Sequence, residues 1–230
     1  MKQRPILFST DLVNAIIDGR KTQTRRIIKP QPEVSEQGYL SGEWLRKPFK
    51  VNSAHLILPT LQDLPIECPY GQVDDILYVR ETFLPDPPHD GTWNNYMFDD
   101  GSGRYNYKAL PEHFRKPEHC IYKAGWDGRD LRWKPAIHMP KWASRLHLKI
   151  TNVHVERLQE ISEEDARAEG VERDGDSWKC YGNCEAHKRG YTKRSSAIAS
   201  FMSLWDVINA KRGYGWDANP FVWVIEFERM

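Results

Sequence analysis

The sequence has few cysteines, no long apolar run and no large excess of charge. Its 230 residues include four cysteines, too few and too irregularly spaced for a disulfide framework in a chain of this length, which favours a reducing, cytoplasmic environment. No apolar stretch approaches the roughly 20 residues that cross a membrane. The first residues contain only three apolar side chains before Ser9, so we expect no signal peptide.

The net charge gives no indication of a whole-surface attraction for nucleic acid, because it is only +1. Phosphate binding must then come from local clusters of cations. Three such clusters are present: Arg25-Arg26 with Lys29, Lys188-Arg189 with Lys193-Arg194, and Lys211-Arg212. Nine tryptophans and ten tyrosines supply rings on which bases can stack, although we expect most of them to pack in the core.

Several familiar catalytic and nucleotide-binding motifs are absent. The sequence contains no GxxxxGK[ST] or GxGxxG loop, no GxSxG elbow and no HExxH pair. The residues with zinc-ligand chemistry are Cys180, Cys184 and His187, with Cys68, Cys120 or His119 as a possible fourth. Their spacing departs from the usual CxxC pattern, which favours incidental cysteines, so we expect no metal and no cofactor.

Three segments predict helices. Ser9 or Thr10 can cap a helix over about 11–18, where apolar residues recur at helical spacing. A capping signature at 162–165 predicts a short helix that ends before Gly170. A third helix is expected over about 196–209, with its large apolar side chains on one face.

The predicted strands cover residues 21–28, 76–79, 146–150 continuing into 153–156, and 221–227. Helices and strands do not alternate regularly, so no doubly wound parallel sheet is indicated. We expect one α+β domain over 1–230, a small mixed barrel with peripheral helices. Stretches at about 84–133 and 171–195 are polar and loop-rich, which predicts two insertions, and 30–70 is expected to be irregular.

The octapeptide Gly19–Arg26 carries four cations and two hydroxyls, a mixture that core packing does not require. It lies where a helix is followed by a strand, and it can present donors and a nucleophile to an anionic or polar ligand. The alternative is a solvated, basic edge strand, which is the common role of a charge run.

Glu169 lies at the last turn of the predicted short helix, where the helix dipole disfavours a carboxylate. A carboxylate at a position that the helix dipole disfavours suggests a function. The dipole would raise the pKa of Glu169 toward the range used in general acid–base catalysis. An exposed glutamate without a role is the alternative.

Two further charged groups suggest a binding surface. Arg80-Glu81 follows a predicted strand and can line the mouth of a pocket, or can form a surface ion pair of little energy. Lys211-Arg212 begins a cationic, aromatic, glycine-broken loop, a combination suited to clamping a base and its phosphate. The alternative is that these residues simply form the end of a helix and the loop after it, with no role in ligand binding.

Four segments, in order, resemble the ASCH domain, a branch of the PUA-like fold, and more narrowly the longer ASCH proteins of bacteriophages and prophages. They are IIDGRKTQTRR (16–26), ILYVRETF (76–83), ISEEDARAEG (161–170) and WDANPFVWVI (216–225). The resemblance implies a small PUA-like β-barrel with helices packed over it and a cleft that takes a nucleotide or RNA.

The resemblance also implies a chemistry. One bacterial ASCH subfamily deacetylates N(4)-acetylcytidine with a lysine, a threonine and a glutamate, and these positions correspond to Lys21, Thr24 and Glu169. In that role Thr24 attacks the acetyl carbonyl, Lys21 takes its proton, and Glu169 serves the amine. Residues three apart on a regular strand face opposite sides, so Lys21 meets Thr24 only if the chain is still turning at Lys21 or if the long lysine side chain curls back. This chain is much longer than those amidohydrolases.

We therefore expect a module that binds RNA, nucleic acid or a modified nucleoside in a polar cleft. The candidate nucleotide-binding residues are Arg20, Arg25, Arg26, Arg80, Glu81, Lys211 and Arg212. A metal-free amidohydrolase acting on N(4)-acetylcytidine or a related acylated nucleoside is the alternative. A phage accessory protein with a degenerate site is the second alternative.

Overall fold

The computed structural model describes residues 1–35, 40–41, 67–88, 110–128, 131–182 and 193–230. Most of the stretch predicted to be irregular lies outside these ranges, as do 89–109 of the first predicted insertion and the basic pair Lys188-Arg189. The chain divides into two compact units. The first contains 1–17, 75–149 and 229–230, and the second contains 18–74 and 150–228.

Ten strands and three α-helices are found in the described ranges. The strands are β1 (Gln3–Leu7), β2 (Gln23–Ile27), β3 (Ile76–Arg80), β4 (Phe83–Pro85), β5 (Cys120–Tyr122), β6 (His147–Arg157), β7 (Arg173–Asp174), β8 (Ser177–Lys179), β9 (Lys193–Arg194) and β10 (Phe221–Arg229). The helices are α1 (Thr10–Ile17), α2 (Glu163–Ala168) and α3 (Ala197–Asn209). None of these helices is long and apolar enough to cross a membrane.

In the first unit, a parallel pair of strands has an antiparallel neighbour. β1 runs parallel to β3, from Gln3 opposite Ile76 to Leu7 opposite Arg80. β3 pairs in antiparallel with the start of β6, where Ile76 faces Lys149. The hairpin-like pair β4–β5 forms a separate two-stranded sheet.

Helix α1 confirms the first predicted helix to within one residue at each end. Val13, Ala15 and Ile16 are buried, as the spacing of apolar residues requires. Gly19 follows with a φ of +75°, a left-handed conformation that glycine adopts without the steric penalty of a Cβ atom.

In the second unit, β2 pairs in antiparallel with β10, with Thr24 opposite Ile225 and Arg25 opposite Val224. The strand order is β6-β10-β2, so β10 has a neighbour on each side. Its residues 221–225 are all buried, as its apolar sequence predicts for a central strand. The unit also contains a three-stranded sheet, in the order β7-β8-β9.

The mixed α and β class is confirmed, with parallel and antiparallel pairing and few helices. The strand orders β1-β3-β6 and β6-β10-β2 both have open ends, so the described strands do not close into a barrel. The two strands expected at 146–150 and 153–156 are one continuous strand of 11 residues, β6. The second predicted insertion contains β7, β8 and β9 rather than loop alone.

Glu163 joins the two helices of the second unit. Ser162 caps α2 by accepting a hydrogen bond from the Asp165 amide at 3.0 Å, as the sequence signature predicts. The Glu163 carboxylate accepts bonds from the first amides of α3, those of Ala197 at 2.9 Å and Ile198 at 3.2 Å. Partial burial raises the pKa of Glu163, but these two amides, the Ser196 side chain and the Arg167 charge together outweigh it, so the pKa lies below its ordinary value.

Glu163→Gln is expected to lower the free energy of unfolding by about 1 kcal/mol, because the amide offers one acceptor oxygen where the carboxylate offers two. Since the folded pKa of Glu163 is depressed, its contribution is present above the ordinary value of 4.5 and is lost as the pH falls through the folded value. Urea unfolding across that pH range measures it. Glu164→Gln removes the same charge from an exposed neighbour, and an equal loss in both variants would contradict the assignment.

Candidate functional site

Lys21, the first residue of the site, precedes the regular strand β2. Lys21 forms an isolated antiparallel bridge with Glu169, at the end of α2. The next residue, Thr22, donates its amide to the Ala168 carbonyl at 2.9 Å and accepts from the Phe227 amide at 2.9 Å. The chain turns after α1 at Asp18-Gly19, and strand β2 begins at Gln23, so Lys21 lies between the turn and the strand.

The Lys21 ammonium is buried and has three acceptors. Its residue exposure is 2%, and Nζ donates to the Gln23 carbonyl at 2.7 Å, the Glu169 carbonyl at 2.8 Å and Glu169 Oε2 at 2.7 Å. Burial lowers the pKa of Lys21, while the adjacent Glu169 carboxylate opposes this effect. Three short bonds to oxygen describe an ammonium, because a neutral amine has only two N–H donors.

The position of Glu169 at the end of α2 is explained by its side-chain partners. Oε1 accepts the Arg25 amide at 2.6 Å, while Oε2 faces the Lys21 ammonium. The side chain is thus turned into the protein, and the residue is only 3% exposed. The Lys21 ammonium and the Arg25 amide stabilise the Glu169 carboxylate at a helix end where the dipole disfavours negative charge. This carboxylate is therefore not a solvated surface group.

Arg25 connects the carboxylates of the cluster. Its side chain is wholly buried, Nε donates to Glu156 Oε1 at 2.7 Å, and Nη1 lies 3.5 Å from Glu169 Oε1. Nη2 lies 3.5 Å from Asp165 Oδ2, and Nη1 also donates to the Gln23 side-chain oxygen. Arg25 is therefore committed to intramolecular carboxylates, and its guanidinium is not presented to a ligand.

We call Lys21, Arg25, Glu156, Asp165 and Glu169 the charged cluster. Two cations and three carboxylates give it a formal charge of −1 when all five are ionised. Taking such groups out of water is unfavourable, and their attraction offsets this only where the hydrogen bonds are well formed. A cluster of this kind orders the segments that carry it, here β2, β6 and α2.

Thr24 is 3% exposed and pairs with Ile225 of β10. Side chains alternate along a strand, and Gln23 and Arg25 are joined to each other on one face, so Thr24 points to the opposite face. The structure thus brings Lys21 and Glu169 into direct contact. Thr24 lies next to Arg25 on β2, and its side chain is on the opposite face of that strand.

Arg20 and Arg26 flank the cluster in sequence and differ in exposure. The Arg20 side chain is 41% exposed and contacts Asp18 at 2.9 Å and the Gly170 carbonyl at 3.1 Å. The Arg26 guanidinium carbon lies 5.7 Å from the centre of the Tyr70 ring, a cation–π contact. Arg20 is therefore the accessible guanidinium of this pair.

Arg80 and Glu81 belong to the first unit. The Arg80 guanidinium donates to the Ile137 carbonyl. Glu81 is 1% exposed, and its carboxylate accepts two bonds from Arg145, at 2.9 and 3.0 Å. Burial raises the pKa of Glu81, and Arg145 opposes it. This arrangement is a bidentate ion pair inside the unit, with Glu81 withdrawn from solvent.

Lys211 and Arg212 are exposed at the turn that follows α3, and Gly213 ends this turn with a φ of +81°. The loop that continues is held by α3, because Trp205 Nε1 donates to the Tyr214 carbonyl at 2.7 Å and the Trp216 amide donates to Asp206 at 2.7 Å. These two hydrogen bonds hold the backbone of the cationic loop against α3.

Lys29, which ends the first basic cluster, reaches this loop. Its exposed ammonium lies 5.2 Å from the centre of the Tyr214 ring. Lys29 thus contacts the loop that follows Lys211 and Arg212, although the two cationic segments are far apart in the chain. We call Lys29, Lys211, Arg212, Tyr214 and Trp216 the basic-aromatic patch.

Sequence reasoning missed Gln23, Glu156 and Asp165 as partners of Arg25. One signal was available, since Gln23 and Arg25 are two apart on a predicted strand and must share a face. No local pattern indicates Glu156 or Asp165, because β6 and α2 approach β2 only in the folded chain.

The potential zinc ligands are only partly described. Cys68, Cys120 and Cys180 are buried thiols, and burial raises the pKa of Cys120 to about 12, which opposes the thiolate that zinc requires. Cys184 and His187 lie outside the described residues. Among the residues that the structure describes, no group of three or more His, Cys, Asp and Glu side chains has the geometry to hold a metal ion.

Comparison with protein-family models, with curated proteins and with solved structures finds no match for this chain.

Lys21→Met is expected to lower the free energy of unfolding by about 3–5 kcal/mol, because it leaves the buried Glu169 carboxylate without its ammonium. Arg20→Met removes a half-exposed cation one residue earlier and should lower it by less than about 1 kcal/mol. Urea unfolding of both variants measures the difference. Adding Glu169→Leu to Lys21→Met should restore part of the loss, and strictly additive losses would show that the pair is not coupled.

Proposed function

We propose that this chain is an ASCH-type module with a PUA-like barrel that binds RNA, other nucleic acid or a modified nucleoside in a polar cleft. A cytoplasmic location, a phage or prophage origin and the absence of a metal belong to the same proposal. The observation that carries it is the contact between Lys29 and the Tyr214 ring, which joins the first basic cluster to the cationic, aromatic loop after α3.

The chemistry of the basic-aromatic patch favours a nucleic-acid ligand. Exposed lysine and arginine side chains neutralise phosphates, and half-buried rings such as Tyr214 and Trp216 provide surfaces on which bases stack. Because α3 holds the backbone of this loop, its rings are positioned before a ligand arrives. An RNA strand suits this mixture better than a small acid, since it presents phosphates and bases alternately.

The charged cluster supports the proposal by ordering the neighbouring segment. Lys21 and Arg25 hold the start of β2 rigidly, and this leaves Arg20 and Thr22 exposed on the same segment. We propose that Arg20 and Thr22 contact the ligand, while Lys21, Arg25 and Glu169 position the segment. Preorganisation of this kind reduces the entropy that binding would otherwise lose.

Fluorescence anisotropy with a labelled single-stranded RNA and the matching DNA tests this proposal. We expect micromolar or tighter binding that weakens between about 50 and 200 mM salt, because bound cations release counterions from phosphates. The double variant Lys211→Ala, Arg212→Ala should weaken binding and reduce the salt slope by about 2, one for each phosphate that the variant no longer neutralises.

Lys2→Ala, Lys116→Ala removes the same charge from two exposed lysines of the first unit and serves as the control. Its affinity and salt slope should equal those of the unchanged protein. Equal weakening in both double variants would show that the effect comes from net charge alone. Absence of salt-dependent binding at micromolar protein would reject the proposal.

A metal-free amidohydrolase is the second candidate, favoured by one observation. Burial lowers the pKa of Lys21 beside a carboxylate, as a general base requires. The Thr24 hydroxyl oxygen would bond to the acetyl carbon of N(4)-acetylcytidine while Lys21 takes its proton; the C–N bond then breaks, and the cytidine nitrogen receives that proton. Water would hydrolyse the acetyl-threonine to acetate.

Two features place this candidate second. Lys21 Nζ lies within hydrogen-bond distance of three oxygen atoms, which suits an ammonium, and an ammonium must lose a proton before it can act as a base. Thr24 points away from the face of Arg25, so its hydroxyl must approach the amine around the strand. A phage accessory protein with a degenerate site is the remaining candidate, and it predicts neither nucleic-acid binding nor turnover.

Release of cytidine from N(4)-acetylcytidine tests the hydrolase. If Thr24 is the nucleophile, Thr24→Ala should reduce turnover by at least about 100-fold, since the covalent route is lost. Thr151→Ala removes an exposed hydroxyl from β6, outside the charged cluster and the basic-aromatic patch, and should leave turnover unchanged. Equal turnover in Thr24→Ala and the unchanged protein would exclude Thr24.

A further inference from the structure

An open groove in the first unit has the size and lining of a ligand site. Its volume is about 600 Å³, within the range of small-molecule sites, and it lies between α1 and the turn after β5. Thr10 and Asn14 line one side, and Lys123, Trp126 and Asp127 line the other. None of these residues belongs to the charged cluster or to the basic-aromatic patch.

Two tryptophans form the apolar wall of the groove. Trp126 and Trp133 meet edge to face, with ring centres 5.8 Å apart and an angle of 78° between the planes. Trp126 remains 39% exposed, which is high for an indole. Gly128 packs closely against it, because a Cβ atom there would lie 2.6 Å from Trp126 Cζ2. The indole of Trp126 is thus held in place while much of its surface still faces the solvent.

Backbone bonds fix the turn that carries Trp126. The Lys123 amide donates to the Thr82 carbonyl at 3.0 Å, and the Trp126 amide donates to the Lys123 carbonyl at 3.2 Å. Arg145, held by Glu81, donates to the Ala124 carbonyl at 3.0 Å. The buried Glu81–Arg145 pair therefore supports the wall of the groove.

The opposite wall supplies neutral hydrogen-bonding groups. Thr10 and Asn14 lie four residues apart on α1 and therefore share one face of the helix. An asparagine amide can donate and accept at the same base edge, and a threonine hydroxyl can do either. Lys123 adds an exposed cation, and Asp127 adds an acceptor for an amino group.

We propose that this groove binds an unpaired nucleobase together with its phosphate. The base stacks on Trp126, its polar edge meets Asn14 and Thr10, and Lys123 contacts the phosphate. Stacking on an indole accepts any base, whereas the amide and hydroxyl discriminate between base edges. The site is independent of the basic-aromatic patch, so this inference does not rest on the proposed function.

Adenosine monophosphate is the probe, and the indole N–H signals of the nine tryptophans in a ¹H–¹⁵N NMR spectrum are the readout. Titration should shift the signals of Trp126 and Trp133, which Trp→Phe variants assign. Adenosine should shift the same signals with weaker affinity, because it lacks the phosphate. Ribose 5-phosphate, which lacks the base, should leave them in place.

Trp126→Ala should weaken binding of adenosine monophosphate roughly tenfold or more, followed through Trp133. Gly128→Ala, which keeps the indole but displaces it, should also weaken binding. Lys123→Gln should remove the preference for adenosine monophosphate over adenosine, and Lys211→Ala, Arg212→Ala should change nothing at this site. Retention of the other indole signals shows that each variant is folded.

The inference is overturned if adenosine monophosphate shifts neither signal, or if its affinity is unchanged in Trp126→Ala. Cellobiose is a further comparison, because sugars also stack on indoles. Shifts of Trp126 and Trp133 by cellobiose and not by adenosine monophosphate would assign the groove to carbohydrate and reject the nucleobase. Failure of RNA binding at the basic-aromatic patch would leave these results unaffected.

Discussion

A buried ammonium with three oxygen acceptors organises the second unit. Lys21 cannot remain charged away from water unless its hydrogens have partners, and those partners come from the start of β2 and the end of α2. Glu169 then extends the constraint to the Arg25 amide. Lys21, just before β2, thereby ties the end of a helix almost 150 residues later to this strand, and the contact satisfies both charges.

The cations of this protein divide into two groups with different tasks. Arg25 and Lys21 are withdrawn from solvent and paired with carboxylates of the same chain, which they hold in place. Lys29, Lys211 and Arg212 remain exposed, where a phosphate can reach them, and Lys29 lies against the Tyr214 ring. Since Arg25 and Lys29 belong to the same basic sequence cluster and differ in burial, charge patterning alone does not separate the two groups.

Local signals predicted much of the secondary structure. The capping signature at Ser162 and the apolar period of α1 both lead to the observed helices, because capping and periodicity act within one or two turns. The unusual position of Glu169 also pointed to a special environment. The prediction was wrong about β6, which is a single strand, because Thr151 and Asn152 interrupt the apolar alternation without ending the backbone pairing.

Composition and short-range pattern were enough to indicate the mixed α and β class, most helix and strand positions, and a set of candidate polar residues. Folding alone decided which residues meet: Lys21 with Glu169, Lys29 with Tyr214, and Arg25 with Glu156, which was not among the candidates. The reason is physical. Capping, alternation and helical period depend on neighbours a few residues apart, whereas burial and ion pairing depend on segments that are distant in sequence and become adjacent only in the tertiary structure.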